Sequence, residues 1–133
     1  MQKILDQYGN VTIYMEQNHP SPMYHVDGGV EPNPYGNLAV LLGDDNLEEV
    51  MYNGGSQCVK VAHRDHGMCQ TNVFVDDQQG LEIARNIAAF TSVPLGDGPG
   101  LVPIFDGRLP DGSRVNGTIP PVSPDGPTLT IRK

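Results

Sequence analysis

The 133-residue chain has only two cysteines and no apolar stretch near the roughly 18 residues that a membrane-spanning helix needs. Two cysteines do not suggest the disulfide framework of a small secreted domain. Residues 1–14 lack the basic and then apolar form of a signal peptide. These absences predict a soluble protein of a reducing compartment, the cytoplasm.

Basic residues are scarce, since eight lysines and arginines stand against 16 aspartates and glutamates, for a formal net charge of −8. Such a surface repels phosphate backbones and lipid headgroups, so nucleic acid and direct membrane insertion are not expected. Residues 108–133 have the opposite balance, because four basic residues stand against two acidic ones: Arg108, Arg114, Arg132 and Lys133 against Asp111 and Asp125. The net charge of this segment is +2 (4 − 2), which leaves −10 (−8 − 2) on the rest of the chain. This segment holds either a local anion site or solvated charges at strand ends.

Recognisable catalytic patterns are missing as well. There is no Gly-Lys-Ser phosphate loop, and the glycine-rich residues 96–100 follow no predicted strand and open no predicted helix. The serines and cysteines have no spacing to a histidine that favours a triad. The paired acids are more typical of solvated strands and helix caps than of a carboxylate mechanism. We therefore predict no catalytic residue in this chain, which alone is not an enzyme.

The pattern Cys58-x4-His63-x2-His66-x2-Cys69 offers four zinc-type ligands. If the flanking strands form a hairpin, Cys58 lies on the order of 16 Å along the strand from the turn, whereas Cys69 is beside it. Zinc needs every ligand within about 2.3 Å of one point. We expect neither a metal site nor a disulfide here.

Glycine and proline make 28 residues (16 + 12), in clusters between apolar runs that indicate a turn-rich fold with strands. Val11–Met15 and Met23–Val26 predict a small hairpin. Asp27–Gly36 reads as a linker, so we divide the chain into an arm and linker, 1–36, and a main body, 37–133.

In the body, Asn37 is predicted to cap a short helix that runs through Leu42. A strand at 49–52 then meets the turn dipeptide Asn53-Gly54, for which positive φ is expected at both residues, and a strand at 57–64 returns. A second reversal at 65–67 leads into a strand at 68–75, with Val59 opposite Val73 and Val61 opposite Thr71.

The strongest periodicity predicts a helix at 77–91, capped by Asp76 or Asp77. Its apolar side would comprise Leu81, Ile83, Ala84, Ile87, Ala88 and Phe90. An irregular loop at 94–103 follows. Three strands are then predicted at 104–109, 113–119 and 128–132, joined by Asp-Gly turns that fix three arginines relative to one another.

The C-terminal segment resembles the end of the N-terminal domain in traffic ATPases of type II and type IV secretion, pili and archaella. The matching residues are Gly107-Arg108-Leu109-Pro110-Asp111-Gly112-Ser113-Arg114-Val115-Asn116, then Ile119-Pro120-Pro121, then Gly126-Pro127-Thr128-Leu129-Thr130-Ile131-Arg132-Lys133. Upstream, Glu48–Gly54 resembles a strand and turn of the family, whereas His63–Asn72 and Tyr8–Tyr14 resemble its archaeal branch. One departure is Gly107, where the family usually has alanine and where we expect glycine only to loosen the strand entry.

The resemblance implies an α+β domain, a PAS-like antiparallel sheet flanked by two helices and preceded by the hairpin arm. It implies a following motor domain that binds ATP and Mg²⁺, a hexameric ring of copies, and an inner-membrane platform protein that holds the ATPase at the membrane periphery. Arg114 and Arg132 match the arginines that reach the nucleotide phosphates. Arg108 belongs to the same motif, with a role that the resemblance does not define.

Two other functions fit the sequence. The domain could be a protein-interaction module that docks the ATPase to its platform, with the arginines serving only the fold. It could also be a free-standing small-ligand sensor, which the PAS-like outline suggests.

Overall fold

A computed structural model of the chain describes residues 2–27, 35–54, 57–96, 98–120, 122–123 and 126–133. Its strands are β1 (Gln2–Tyr8), β2 (Val11–Glu16), β3 (Met23–Val26), β4 (Leu47–Tyr52), β5 (Cys58–His63), β6 (Gly67–Phe74), β7 (Ile104–Arg108), β8 (Arg114–Thr118) and β9 (Thr128–Arg132). A 3₁₀ turn at Gly36–Leu38 leads into α1 (Ala39–Leu42), and α2 spans Asp77–Thr91. The predicted α+β class is confirmed.

All nine strands form one sheet in the order β1-β2-β3-β6-β5-β4-β9-β8-β7. Every neighbouring pair is antiparallel except β3 and β6, which run parallel through Met23 opposite Gln70 and Tyr24 opposite Thr71. The predicted hairpin of β2 and β3 is present, and β1, which the sequence pattern does not indicate, extends it at the edge of the sheet. The arm therefore hydrogen-bonds into the same sheet as the body; most of the predicted linker, at 28–34, lies outside the described residues.

Side chains alternate along the strands, so one sheet face is apolar and the other is polar. β5 shows this directly, because Val59 and Val61 are buried while the alternating residues Cys58, Lys60 and Ala62 are half-buried. Both helices pack on the apolar face, and Leu38, Leu41, Ile83 and Ile87 join the strands in a single core. The other face carries no helix among the described residues, and Arg108, Arg114 and Arg132 lie on that face.

The helix at Asp77–Thr91 has the predicted bounds, and the Asp76 carboxylate accepts the Gln79 amide at 2.7 Å as its N-cap. On its predicted apolar side, Leu81 is partly buried and packs against the core, whereas Phe90 is 48% exposed and the prediction is wrong there. The short helix is present, but Asn37 does not cap it. The Asn37 amide instead donates to the Phe74 carbonyl at 2.9 Å.

The β4–β5 hairpin is present without the predicted tight turn. The strands end and resume at Tyr52 and Cys58, and of the Asn53-Gly54 pair only Gly54 has a positive φ, of 73°. The rest of the predicted turn, residues 55–56, lies outside the described residues.

The predicted β5–β6 register is wrong between Lys60 and the turn, although Cys58 lies opposite Phe74 as that register requires. Val61 lies opposite Cys69, not Thr71, because the register shifts between Cys58 and Lys60. The Thr71 hydroxyl donates to the Val59 carbonyl at 2.6 Å and accepts the Val73 amide at 3.1 Å, so a side chain replaces ladder bonds there. A side-chain bond of this kind leaves no trace in the alternation of apolar residues.

The strand entry at Gly107 is tight, not loose as expected. A β-carbon at this position would lie 2.4 Å from Thr91 Cγ2 at the end of α2. Glycine therefore allows the helix end to approach β7 closely.

Candidate functional site

Three neighbouring strands bring the predicted site arginines side by side. Arg108 lies opposite Arg114 across the β7–β8 pair, and Arg114 lies opposite Arg132 across the β8–β9 pair. Opposed residues on adjacent strands point to the same face of a sheet, and all three are exposed. We call Arg108, Arg114 and Arg132 the arginine row.

The turn between β7 and β8 fixes the spacing of the row. The Asp111 carboxylate accepts the Ser113 amide at 2.9 Å, and this hydrogen bond lowers the pKa of Asp111. Gly112 has a φ of 91°, which favours glycine. The Arg108 guanidinium donates to the Gly112 carbonyl at 3.2 Å, so it is engaged with the turn.

Arg114 and Arg132 line an open cavity of about 230 Å³. Its other lining residues are Asp106, Val115, Asn116 and Thr130. Asp106 lies opposite Asn116, and Asn116 lies opposite Thr130, so these three form a second row parallel to the arginines. We call Asp106, Asn116 and Thr130 the polar row.

The two cavity arginines have little internal pairing. Arg132 approaches a Glu49 carboxylate oxygen at 3.8 Å, and its side chain is 76% exposed, so this pair contributes little. Within the described part of the chain, the Arg114 side chain forms no hydrogen bond or ion pair. Like charges directly opposite each other destabilise a sheet. The guanidinium groups are therefore available to an external anion.

A second polar group, which no sequence pattern indicates, consists of Tyr8, Tyr24, Asp44 and His63, and we call it the Asp44 cluster. Asp44 Oδ2 accepts both tyrosine hydroxyls, Tyr8 at 2.7 Å and Tyr24 at 2.6 Å. Burial raises the pKa of Asp44, but hydrogen bonds from Tyr24, Tyr8 and Asn46 outweigh it and leave that pKa lowered. The arm is therefore joined to the body through a charged acceptor.

His63 completes this cluster in a defined tautomer. Its Nδ1 accepts the Asp65 amide at 3.0 Å, so Nε2 carries the proton and donates to the Tyr8 hydroxyl at 3.0 Å. Burial and the neighbouring His66 lower the pKa of His63, which favours the neutral ring. The four residues are far apart in sequence, so no spacing could have indicated the cluster.

The suspected zinc ligands have other roles. Both cysteines are free thiols, with Cys58 opposite Phe74 and Cys69 opposite Val61. His66 instead faces the Asp6 carboxylate at 3.1 Å. Among the described residues, no three histidine, cysteine or acidic side chains are placed to hold a metal ion.

The chain is similar in sequence to three archaeal proteins that are named as uncharacterized and similar in fold to one ATPase of known structure. No family model matches the chain. Over 98 residues, 74% of the chain, it is 47% identical to the uncharacterized protein MJ0781 of Methanocaldococcus jannaschii. It is 39% identical over 100 residues to MJ0900, and 34% identical over 88 residues to MJ1288, of the same organism. The chain spans 13%, 17% and 33% of these relatives, respectively.

Among solved structures, the VirB11 ATPase from the Brucella suis type IV secretion system, crystallised with sulphate, has a similar fold. The TM-score is 0.59 at 23% identity, over 73% of this chain and 28% of that one. The chain thus shares its fold with part of a secretion ATPase. Within the described residues, no helix is long and apolar enough to cross a membrane.

Proposed function

We propose that this chain is the N-terminal domain of an archaeal-type secretion ATPase, in which Arg114 and Arg132 contact the phosphates of a nucleotide held by the following motor domain. The observation that carries the proposal is their register: the two arginines lie directly opposite each other on the exposed face and line one cavity. The fold similarity to the VirB11 ATPase and the C-terminal motif support it.

The chemistry of the two side chains fits a polyphosphate. Each guanidinium presents several N–H donors in a plane, which suits phosphate oxygens. Two of them on adjacent strands can hold one anion that neither strand would hold alone. The sulphate in the VirB11 crystal is an anion of the same geometry as a phosphate group.

An energetic argument favours function over stability for this pair. Placing two cations opposite each other costs stability, and no carboxylate among the described residues pairs closely with them, since Glu49 is 3.8 Å from Arg132 and Asp106 forms no ion pair. A bound anion removes that repulsion. Stabilisation of charge on the phosphoryl oxygens by such arginines accelerates hydrolysis in other nucleotide hydrolases.

The remaining parts of the proposal concern the assembled protein. ATP and Mg²⁺ are bound by the motor, and ATP supplies the phosphoryl group for hydrolysis. The described part of this chain offers no cluster suited to a metal ion. Copies of the domain form a ring with the motor, and an inner-membrane platform protein is the membrane partner. Nucleotide bound between the domains would couple hydrolysis to a rigid-body motion that powers secretion or pilus assembly.

The test is the ATPase rate of the full-length protein carrying Arg114→Ala or Arg132→Ala. Each change should lower kcat by about a hundredfold or more, as loss of a preorganised charge donor does. Folding should remain intact, because neither side chain is buried. Arg85→Ala is the matched control, since Arg85 is exposed on α2, away from the open face.

The same variants address the rival function. If the domain only docks the ATPase to its platform and the arginines stabilise the fold, turnover stays unchanged and the free energy of unfolding falls. Our proposal predicts the reverse, with unfolding free energy equal to or slightly above that of the wild type.

A further inference from the structure

The polar row lies beside the arginine row, and the proposed contact of Arg114 and Arg132 with phosphates does not involve it. Asp106 and Asn116 are exposed, and Thr130 is half-buried beside them. Asp106 is two residues from Arg108 along β7, and Asn116 is two residues from Arg114 along β8. The cavity therefore has a cationic end and an end that carries one carboxylate, one amide and one hydroxyl.

Asp106 does not neutralise the arginines. No ion pair within 4.0 Å joins it to a cation among the described residues, and no hydrogen bond from another described side chain reaches its carboxylate. A carboxylate only weakens an anion site of this kind, because it repels the phosphates that the arginines attract. A ligand that fills this cavity would therefore have to place a hydrogen-bond donor against the Asp106 carboxylate.

The spacing and chemistry of the two rows identify that group. Asp106 lies opposite Asn116, so Arg114, two residues along β8, is its diagonal neighbour at about 7–8 Å. An extended nucleotide covers a distance of this order between its β-phosphate and its ribose hydroxyls. An ionised carboxylate only accepts hydrogen bonds and has two oxygens, so it suits the two donors of a vicinal diol. Asn116 and Thr130 can accept or donate to the same hydroxyls.

We propose that Asp106, flanked by Asn116 and Thr130, binds the ribose hydroxyls of the nucleotide whose phosphates meet Arg114 and Arg132. The inference rests on the proposed function and adds a second contact: this chain recognises the nucleotide at the sugar as well as at the phosphates. Asp106 is then a specificity-determining residue, because a ligand without the diol leaves its carboxylate unpaired.

The experiment titrates the full-length protein, followed by isothermal titration calorimetry, with three probes in EDTA: ATP, 2′,3′-dideoxy-ATP and inorganic tripolyphosphate. The wild type should bind ATP about tenfold more tightly than the dideoxy compound, the ratio expected for hydrogen bonds to a charged acceptor. Asp106→Ala should bring this ratio close to one and should strengthen tripolyphosphate binding, because a negative charge is removed. Asp106→Asn should retain part of the preference.

Other outcomes separate the inference from the proposed function. Equal affinity of the wild type for ATP and the dideoxy compound, or an unchanged ratio in Asp106→Ala, overturns the ribose role while leaving the arginine site intact. A preference that appears only when Mg²⁺ is added would place a metal ion at Asp106 and also overturns it. If Arg114→Ala leaves tripolyphosphate binding unchanged, or if the wild type binds none of the probes, the proposed function fails and the inference fails with it.

Discussion

Replacing Gly107 with alanine would place a methyl group where the end of α2 packs against β7. The new carbon would lie 2.4 Å from Thr91 Cγ2 and 2.9 Å from Thr91 Cβ. Carbon atoms prefer a separation of about 3.5–4.0 Å, so helix and strand must move apart by about 1 Å. Thr91 cannot turn away freely, because its hydroxyl donates to the carbonyls of Ile87 and Ala88 at 3.3 and 3.1 Å.

The expected loss of unfolding free energy follows from two opposed effects. Overpacking of a well-packed contact costs about 1–3 kcal/mol. Alanine also restricts the unfolded chain, which returns about 0.4–1 kcal/mol. We expect a net destabilisation of about 1–2 kcal/mol, measured by urea denaturation with an unchanged m-value.

Two further variants make the Gly107 prediction specific. Adding Thr91→Ala to Gly107→Ala removes the nearer clashing atom, Cγ2, and leaves Cβ, so the pair should lose less stability than the sum of the single changes. Gly43→Ala is the control, since its β-carbon would meet nothing nearer than 3.7 Å and its φ is −79°. A Gly107→Ala protein as stable as the wild type, or no rescue by Thr91→Ala, would refute the reasoning.

Two predictions concern other parts of the fold. Tyr24→Phe removes a 2.6 Å hydrogen bond to Asp44 and should cost about 1–2 kcal/mol at pH 7 in urea denaturation. The pKa of Asp44 is lowered from 3.8, so the contribution of its carboxylate to stability is complete above about pH 4 and is lost as the pH falls through the folded pKa. The loss of unfolding free energy in Tyr24→Phe should therefore be smaller at pH 3 than at pH 7. An equal loss at both pH values would contradict this prediction. Asp111→Ala should cost about 0.5–1.5 kcal/mol by loss of the Ser113 amide bond, a loss absent if the turn holds by itself.

Much of the fold could be predicted from local pattern. The helix at Asp77–Thr91 and the strand at Thr128–Arg132 have the predicted bounds, because an acidic cap, a periodic apolar side and flanking prolines all act locally. The β5–β6 register could not be predicted, since the Thr71 hydroxyl alters it through a bond to Val59. The strand Gln2–Tyr8 was also missed, because its residues are almost all exposed and show no alternation.

Some residues of the candidate site could likewise be predicted from local sequence pattern, and others could not. The arginine row was found because two of its members flank one tight turn and the third lies on a strand with a recognisable motif. Asp106 was not singled out, since a lone aspartate in a strand carries no signal until the β7–β8 register places it beside Asn116. The Asp44 cluster depends wholly on tertiary contacts between the arm and the body.

The most direct measurement is the ATPase kcat of the full-length double variant Arg114→Ala/Arg132→Ala compared with both single variants. If the two guanidinium groups act on one bound phosphate chain, the double variant should be little slower than the slower single variant, because either loss already disables the shared site. Turnover close to the wild type in all three proteins, or losses that multiply as for independent sites, would contradict the account.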